Sequence, residues 1–209
     1  MPRNNKRKEP SQARSKDTVD AIYTAGVQVL REHGIAKLSI RAVAERAGVS
    51  VGTLYQYFQS KEALLTALVE RERSGVRAVL AALHAETQGM ELGERVTRWV
   101  DALVDSKLKD PVLEARIVEA MIAIEGASFQ SADTEPFIEL VASAIAEHDI
   151  GRGLDQSHID ELSYVLVHAV EGVLHGYIEG GGTRDLDRLK QQLVHMILGL
   201  IASASTQHG

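Results

Sequence analysis

The short stretch Val-Gly-Thr-Leu-Tyr-Gln-Tyr, which ends just before Phe58, combines small and polar side chains with two tyrosines. With about 100° of rotation per residue in a helix, Val51, Leu54 and Phe58 turn toward the same side and face the core. The opposite side holds small or hydrogen-bonding residues: Gly52, Thr53 and Gln56. Base edges in the DNA major groove are read by hydrogen bonds and methyl contacts, and the flanking tyrosine hydroxyls are placed to reach phosphates. The pattern therefore indicates a helix that reads DNA.

Basic and hydroxyl side chains lie at the starts of the neighbouring predicted helices. Lys61 comes at a helix N-terminus, where backbone N–H groups and the helix dipole already favour a phosphate. Arg41 falls in the first turn of the second helix, from which it reaches a phosphate or a guanine edge. Ser39 and Ser50 are predicted N-caps, because a serine oxygen accepts from the first unpaired N–H groups of a helix. The whole segment is thus rich in groups that contact nucleic acid.

A second polar cluster is predicted far along the chain, on one helix face within about 60°: Tyr164, His168, Glu171 and His175. Histidine and glutamate bind zinc, so the stripe fits a helical metalloprotein or enzyme built on His168, Glu171 and His175. It fits equally a polar strip at a dimer seam or a pocket wall, with Glu171 and His175 paired four residues apart. The spacing matches no known catalytic signature. We therefore expect no bound metal, no cofactor and no enzymatic activity.

Two short helices separated by a tight turn would hold the DNA-reading residues in place. Apolar residues recur with helical spacing in the first of them: Ile40, Val43, Ala44 and Ala47. Gly48 permits the positive φ of the turn, Val49 fills the angle between the helices, and Ser50 begins the second helix. This arrangement is a helix-turn-helix unit.

Helical periodicity extends over most of the remaining chain. A first helix is expected to start after Ser15 and to end at Gly34, which would act as a left-handed cap. Later helices are predicted over 61–84, 92–107, 111–125, 133–147, 157–179 and 185–203. We predict an all-α fold of about nine helices: a disordered basic arm (1–14), a three-helix head with the helix-turn-helix (15–61), and a larger helical body (62–209).

Charge is divided unevenly between these parts. Residues 1–61 hold 11 basic and five acidic side chains, whereas the rest hold 12 basic and 24 acidic ones, for a net charge of −6. A basic head on an acidic body is expected when only one end meets phosphate. The absence of cysteine excludes thiol catalysis and cysteine-ligated zinc, and it fits a reducing cytoplasm. With no run of about 18 apolar residues and no apolar stretch after the basic start, neither a membrane span nor a secretory signal is predicted.

The run AERAGVSVGTLYQYF, followed by KEALL from Lys61, strongly resembles the signature of TetR-family transcriptional regulators. The resemblance covers about residues 15–66. It implies a cytoplasmic homodimer whose heads bind a double-stranded palindromic operator, and in most members a small molecule bound in the body releases a repressor. The positions where family members touch operator DNA correspond here to Ser39, Arg41, Ser50, Val51, Gly52, Thr53, Tyr55, Gln56, Tyr57 and Lys61. Val51 offers only a methyl contact or packing.

For the body, the family implies ligand binding among the middle helices and a dimer seam built from the last two. Candidate pocket residues are Trp99, Met121, Phe129, Phe137, Tyr164 and His168. Gly172 and Gly176, four residues apart, would let a partner helix approach closely. The remaining seam candidates are Glu171, His175, Leu189, Leu193, Met196, Ile197 and Leu200. The residues name no particular ligand.

Overall fold

The chain forms nine α-helices and no strand over residues 9–125, 134–148 and 153–206, the parts that the computed structural model describes. In chain order they are α1 (Glu9–Lys37), α2 (Ile40–Ala47), α3 (Val51–Tyr57), α4 (Lys61–Glu86), α5 (Leu92–Leu108), α6 (Pro111–Glu125), α7 (Glu135–Ala146), α8 (Gln156–Glu179) and α9 (Leu186–Thr206). The predicted all-α fold is confirmed. From α2 onward, the predicted helix ends agree with these bounds to within a few residues.

The first helix differs from the prediction at both ends. α1 begins at Glu9, so residues 9–14, expected to be a disordered arm, are helical; residues 1–8 lie outside the described part. Gly34 takes a positive φ of 68° with ψ −176°, which is not a helical conformation, so α1 is kinked there and consists of two helical segments, the second ending at Lys37. Leu38, just beyond the second segment, is buried in the head.

One compact unit contains the described residues up to Arg71 together with α6 from Arg116 onward. Its core is apolar, and Ile22, Leu30, Val43, Leu54, Leu64 and Leu68 are completely buried or nearly so. α1 and α4 approach closely at Gly26, where an added Cβ would lie 2.7 Å from Cδ2 of Leu68. The first turns of α4 supply part of this core, and this compact unit extends to Arg71, beyond the predicted head boundary at Lys61.

The second unit consists of Glu72–Ala115 and the described residues from Thr134 on. Within it α5 packs on α9, α7 on α8, and α8 on α9. The central cluster joins residues of these helices: Val96, Val100, Val104, Val170, Leu174 and Leu193. Among the described helices, none is long and apolar enough to cross a membrane.

Candidate nucleic-acid interface and internal cavity

Both predicted N-caps position the helix-turn-helix. The Ser39 hydroxyl accepts from the backbone N–H of Ala42 at 3.1 Å, and the Ser50 hydroxyl accepts from Thr53 N–H at 2.9 Å. Between the two helices, Gly48 takes the left-handed conformation, with φ 68° and ψ 27°. Its N–H donates to Ala44 and Glu45 carbonyls, which closes α2. These local bonds fix the start of α3 relative to α2.

The outward face of α3 is open to solvent as predicted. Gly52 and Gln56 are exposed, Tyr55 is 52% exposed and Tyr57 is 37% exposed, whereas Leu54 is completely buried. The Tyr57 hydroxyl lies 3.2 Å from that of Ser15 on α1.

Two side chains on α3 differ from the helical-wheel expectation. Val51, expected to face the core, is 41% exposed because it is the first residue of the helix and no preceding turn covers it. Thr53 is partly covered, and its hydroxyl lies 2.8 Å from the Ser50 hydroxyl. Val51 methyls are therefore more accessible, and the Thr53 hydroxyl less free, than the sequence indicates.

The basic groups of the head fall into different environments. Arg41 is exposed in the first turn of α2. The ammonium of Lys61 donates to the Ile35 carbonyl at 2.8 Å, next to the break in α1, so one of its three N–H groups is used inside the head. Arg46 makes two hydrogen bonds of 2.7 Å to Glu32, and they lower the pKa of that carboxyl below its ordinary value.

The second unit contains a partly open cavity of about 130 Å³. It is surrounded by α4, α5, α7, α8 and α9, and its wall is mainly apolar. Of the predicted pocket residues, Trp99 and Phe137 line it. Met121, Tyr164 and His168 are not among its lining residues: Met121 belongs to the other compact unit, and Tyr164 is 45% exposed. Phe129 lies outside the described residues.

Arg95 is a charged member of the cavity wall, and it is only 5% exposed. Its Nη2 donates to Nδ1 of His84 at 2.8 Å and its Nη1 to the Ala144 carbonyl at 3.3 Å. Its buried Nε has no hydrogen-bond partner. Burial lowers the pKa of Arg95, and attraction to Glu147 offsets only part of this effect. Trp99 packs beside the guanidinium, 5.8 Å from ring centroid to Cζ.

A buried ionic triad lies beside the same cavity. Lys107 Nζ donates to Glu114 at 2.9 Å and to Glu171 at 3.1 Å, and Glu171 also lines the cavity. Burial on its own would lower the pKa of Lys107, but the two carboxylates outweigh it and the pKa is raised. The triad ties α5, α6 and α8 together within the second unit.

The polar stripe predicted on α8 does not form one site. Glu171 turns inward to Lys107, whereas the His168 ring stacks on Tyr164 at 4.1 Å between centroids and bonds to its carbonyl through Nδ1. His175 Nε2 lies 3.1 Å from Glu179. These partners differ from the expected pairing of Glu171 with His175. In the described part of the chain, no group of three metal-ligating side chains is placed to hold an ion.

The apolar stripe of α9, predicted to form a dimer seam, mainly fills the chain's own core. Leu193 is 2% exposed in the single chain and packs within its own core. Four others pack partly buried against the clusters of the second unit: Leu189, Met196, Ile197 and Leu200. In contrast, Gly172 and Gly176 are exposed, and an added Cβ at either would meet no atom within 4 Å.

Sequence reasoning missed Arg95 and Lys107, because a charged residue on an amphipathic helix normally faces solvent. A signal was present for Arg95: it lies three residues after Leu92 and four before Trp99, both of which line the cavity. Such spacing places it on the apolar face of α5. Lys107 offers no comparable signal, since its partners come from two other helices.

Comparisons with known proteins agree with this architecture. The family model for bacterial regulatory proteins of the tetR family matches residues 22–68, and the model for the tetracyclin repressor-like C-terminal domain matches residues 91–200. The HTH-type transcriptional repressor KstR of Mycobacterium tuberculosis is 30% identical over 140 residues, or 66% of this chain. This alignment spans 62% of KstR, which is less than two thirds of that protein.

Solved structures share the fold over most of the chain. A transcriptional regulator from Pseudomonas aeruginosa, described as putative, superposes with a TM-score of 0.71 at 19% identity and covers 97% of both chains. The SmeT–triclosan complex superposes with a TM-score of 0.63 at 22% identity, covering 87% of this chain and 90% of the other. A helix-turn-helix head followed by a helical body defines a DNA-binding regulator. The chain belongs to the TetR family.

Proposed function

We propose that this protein is a homodimeric, sequence-specific DNA-binding repressor that a small molecule in the second unit releases from its operator. It acts on DNA in the cytoplasm and carries no enzymatic activity. The observation that supports DNA recognition most directly is the exposed face of α3, where Val51, Gly52, Tyr55 and Gln56 are free of the core. Both caps and the Gly48 turn hold this face rigidly.

The exposure and hydrogen bonds of the head residues suggest which of them read bases and which contact phosphates. Gln56 is exposed and reads a base edge by paired hydrogen bonds, as glutamine does with adenine. Val51 packs against a thymine methyl. Tyr55, Arg41 and the two remaining N–H groups of Lys61 contact phosphates, which positions the head without specifying sequence. Further contacts to the DNA backbone, at the edges of this surface, come from Ser39, Thr53 and Tyr57.

Dimerisation through α8 and α9 is supported by their exposed small residues. Gly172 and Gly176 on α8 and Gly199 on α9 leave open space where a side chain would stand. Such positions let two helices approach closely, and a two-fold axis through them would place the same surface on both partners. The two-fold symmetry of the dimer requires a palindromic operator with half-sites about one helical turn, 34–36 Å, or a multiple of it, apart.

Release by a small molecule is supported by the cavity in the second unit and by its apolar wall with a few polar groups, as is typical of ligand sites. The solved relative SmeT carries triclosan in its complex. A ligand lowers DNA affinity only if it prefers the conformation that does not bind DNA. A tenfold loss requires about 1.4 kcal/mol of preference, and operator DNA must then weaken ligand binding by the same factor.

The first experiment is selection of bound DNA from a random pool by the full chain, followed by fluorescence anisotropy on the selected sequence. An inverted repeat is expected, with affinity that falls steeply as salt rises because Lys and Arg release counterions. Lys61→Ala should weaken all sequences alike and reduce the salt slope by about 1. Failure to enrich any inverted repeat at moderate salt rejects the proposed function.

The metalloprotein alternative receives a separate test. Zinc or nickel added to metal-free protein should not be retained at one ion per chain. Equimolar uptake that His168→Ala abolishes would reinstate that alternative.

A further inference from the structure

The buried guanidinium of Arg95 points to the chemistry of the ligand. Its neighbours are a neutral carbonyl, from Ala144, and a histidine ring, from His84, which accept one hydrogen bond each from Nη1 and Nη2. The Nε–H is buried without a partner. A buried polar group that lacks a hydrogen bond is costly, and a cation held so far from water is stabilised by a directly bound anion.

No carboxylate of the described residues forms an ion pair with this guanidinium. The nearest acid that acts on it electrostatically, Glu147, lies 3.3 Å from Nε2 of His84 and attracts Arg95 only through space. Glu171, the acidic side chain in the cavity wall, is already bound by Lys107 at 3.1 Å. The other polar wall residues are His148 and Trp99, and the indole N–H of Trp99 donates to Thr87 at 3.1 Å. The charge of Arg95 is therefore the one in the wall that lacks a direct counter-ion.

The remainder of the cavity is suited to an apolar body. Its wall is formed largely by aliphatic and aromatic side chains, among them Leu103, Phe137, Val141 and Val167. Its volume of about 130 Å³ is close to that of engineered cavities of about 150 Å³ that accept benzene. A mainly apolar wall with one cation disfavours a highly charged or sugar-like ligand, because most polar groups of such a ligand would lose water without gaining hydrogen-bond partners.

We propose that the cavity binds a small amphipathic acid, with its carboxylate against the guanidinium of Arg95 and its apolar body among the aliphatic side chains of α5, α7 and α8. The acid supplies both the missing hydrogen-bond acceptor and the missing counter-ion. Arginine is well matched to this role because its planar guanidinium recognises carboxylates directionally. The proposal rests on the proposed function insofar as this acid is the molecule that releases the repressor.

The test compares three eight-carbon probes that share one apolar body: octanoate, octan-1-ol and octylamine. Trp99 is the single tryptophan of the chain and lines the cavity, so its emission reports occupancy; calorimetry confirms the affinities. Full-length wild type should bind octanoate about tenfold or more tightly than octan-1-ol, because hydrogen bonds between charged groups are about twice as strong as neutral ones. Octylamine should bind most weakly.

Arg95→Met keeps an apolar stem and removes the charge, so octanoate affinity should fall to that of octan-1-ol or below, while octan-1-ol binding stays nearly constant. The matched control is Lys190→Met, which removes a cation that binds Asp101 and Asp105 away from the cavity wall; it should leave the octanoate preference intact. If Arg95→Met does not fold, the preference among the three probes in wild type decides the matter without it.

Three results overturn the proposal: equal or tighter binding of octan-1-ol or octylamine by wild type, an unchanged octanoate preference in Arg95→Met, or binding of none of the probes. Operator binding is measured by fluorescence anisotropy on the same preparations. This measurement distinguishes failure of the proposed ligand class from failure of the proposed function. Specific operator binding without acid preference rejects only the ligand class. Arg95-dependent acid binding by a protein that selects no DNA sequence rejects only the repressor function.

Discussion

The substitution Lys107→Met removes the cation from a buried triad and leaves two carboxylates facing one another. The side chains of Lys107, Glu114 and Glu171 are 11%, 17% and 24% exposed, so neither acid can regain full hydration without moving. Removing one partner of a buried ion pair costs about 3–5 kcal/mol of unfolding free energy. Because both acids keep some contact with solvent, we expect a loss of about 3 kcal/mol, near the lower end of that range.

Lys190→Met provides a control that matches the chemistry and differs in burial. Lys190 also binds two carboxylates, Asp101 at 3.3 Å and Asp105 at 2.6 Å, but these acids are 51% and 66% exposed. Its loss should cost only about 0–1 kcal/mol, as for surface pairs. Urea unfolding followed by far-UV circular dichroism at one fixed protein concentration measures both, because dimerisation would make stability depend on concentration.

The triad also predicts a pH dependence. The pKa of Lys107 is raised in the folded state, so its stabilisation is fully present below the unfolded pKa of about 10.4 and is lost as pH rises through the folded value. The stability difference between wild type and Lys107→Met should therefore shrink only above about pH 10.4. The variant Lys107→Met/Glu114→Gln/Glu171→Gln should recover most of the loss, since no uncompensated charge remains. If Lys107→Met alone lowers the unfolding free energy no more than Lys190→Met does, the reasoning is refuted.

Three further predictions concern the head and α4, and each is measured by urea unfolding. Gly26→Ala should lower the unfolding free energy by about 1–3 kcal/mol, because the added methyl group overpacks against buried Leu68. Its control is Gly75→Ala, where an added Cβ meets nothing within 4 Å, and this change should stabilise by up to about 1 kcal/mol. Equal effects of the two substitutions would contradict the close approach of α1 and α4. Gly48→Ala should cost about 1–2 kcal/mol because of its left-handed backbone, and Gly48→Asn less; the reverse order would be inconsistent with this turn. Ser50→Ala should cost about 1 kcal/mol by loss of the cap, and no loss would show that water replaces it.

The helix-turn-helix was predictable because its signals are local. Ser39, Gly48 and Ser50 each act on backbone atoms within about three residues, and local hydrogen bonds of this kind follow from residue type and spacing. The α3 face followed from helical periodicity, with departures at Val51, where the helix begins, and at Thr53, which is partly covered. From α2 onward, helix ends were predicted to within a few residues wherever proline, glycine or serine marked them.

The cavity and the triad depend on contacts between residues far apart in the chain, and no local pattern specifies these. Lys107 meets Glu171 across 64 positions, and Arg95 meets Ala144 across 49. The aromatic residues Trp99 and Phe137 were recognised as lining candidates by type. Tyr164, of the same type, faces solvent instead because it lies on the other side of α8. Leu193 was assigned to a partner surface because a helix that packs on its own chain's core and one that packs on another chain have the same apolar sequence pattern.

Sequence selection from a random DNA pool by wild type and by Gln56→Ala, side by side, tests the central claim that the exposed face of α3 reads DNA. Gln28→Ala, an exposed glutamine on α1, serves as the matched control. Wild type and the control should enrich the same inverted repeat, and Gln56→Ala should enrich that repeat with base preference lost at one symmetric pair of positions, a change of about 1–3 kcal/mol per position. An identical preference at every position in Gln56→Ala, or no inverted repeat with wild type, would contradict the account.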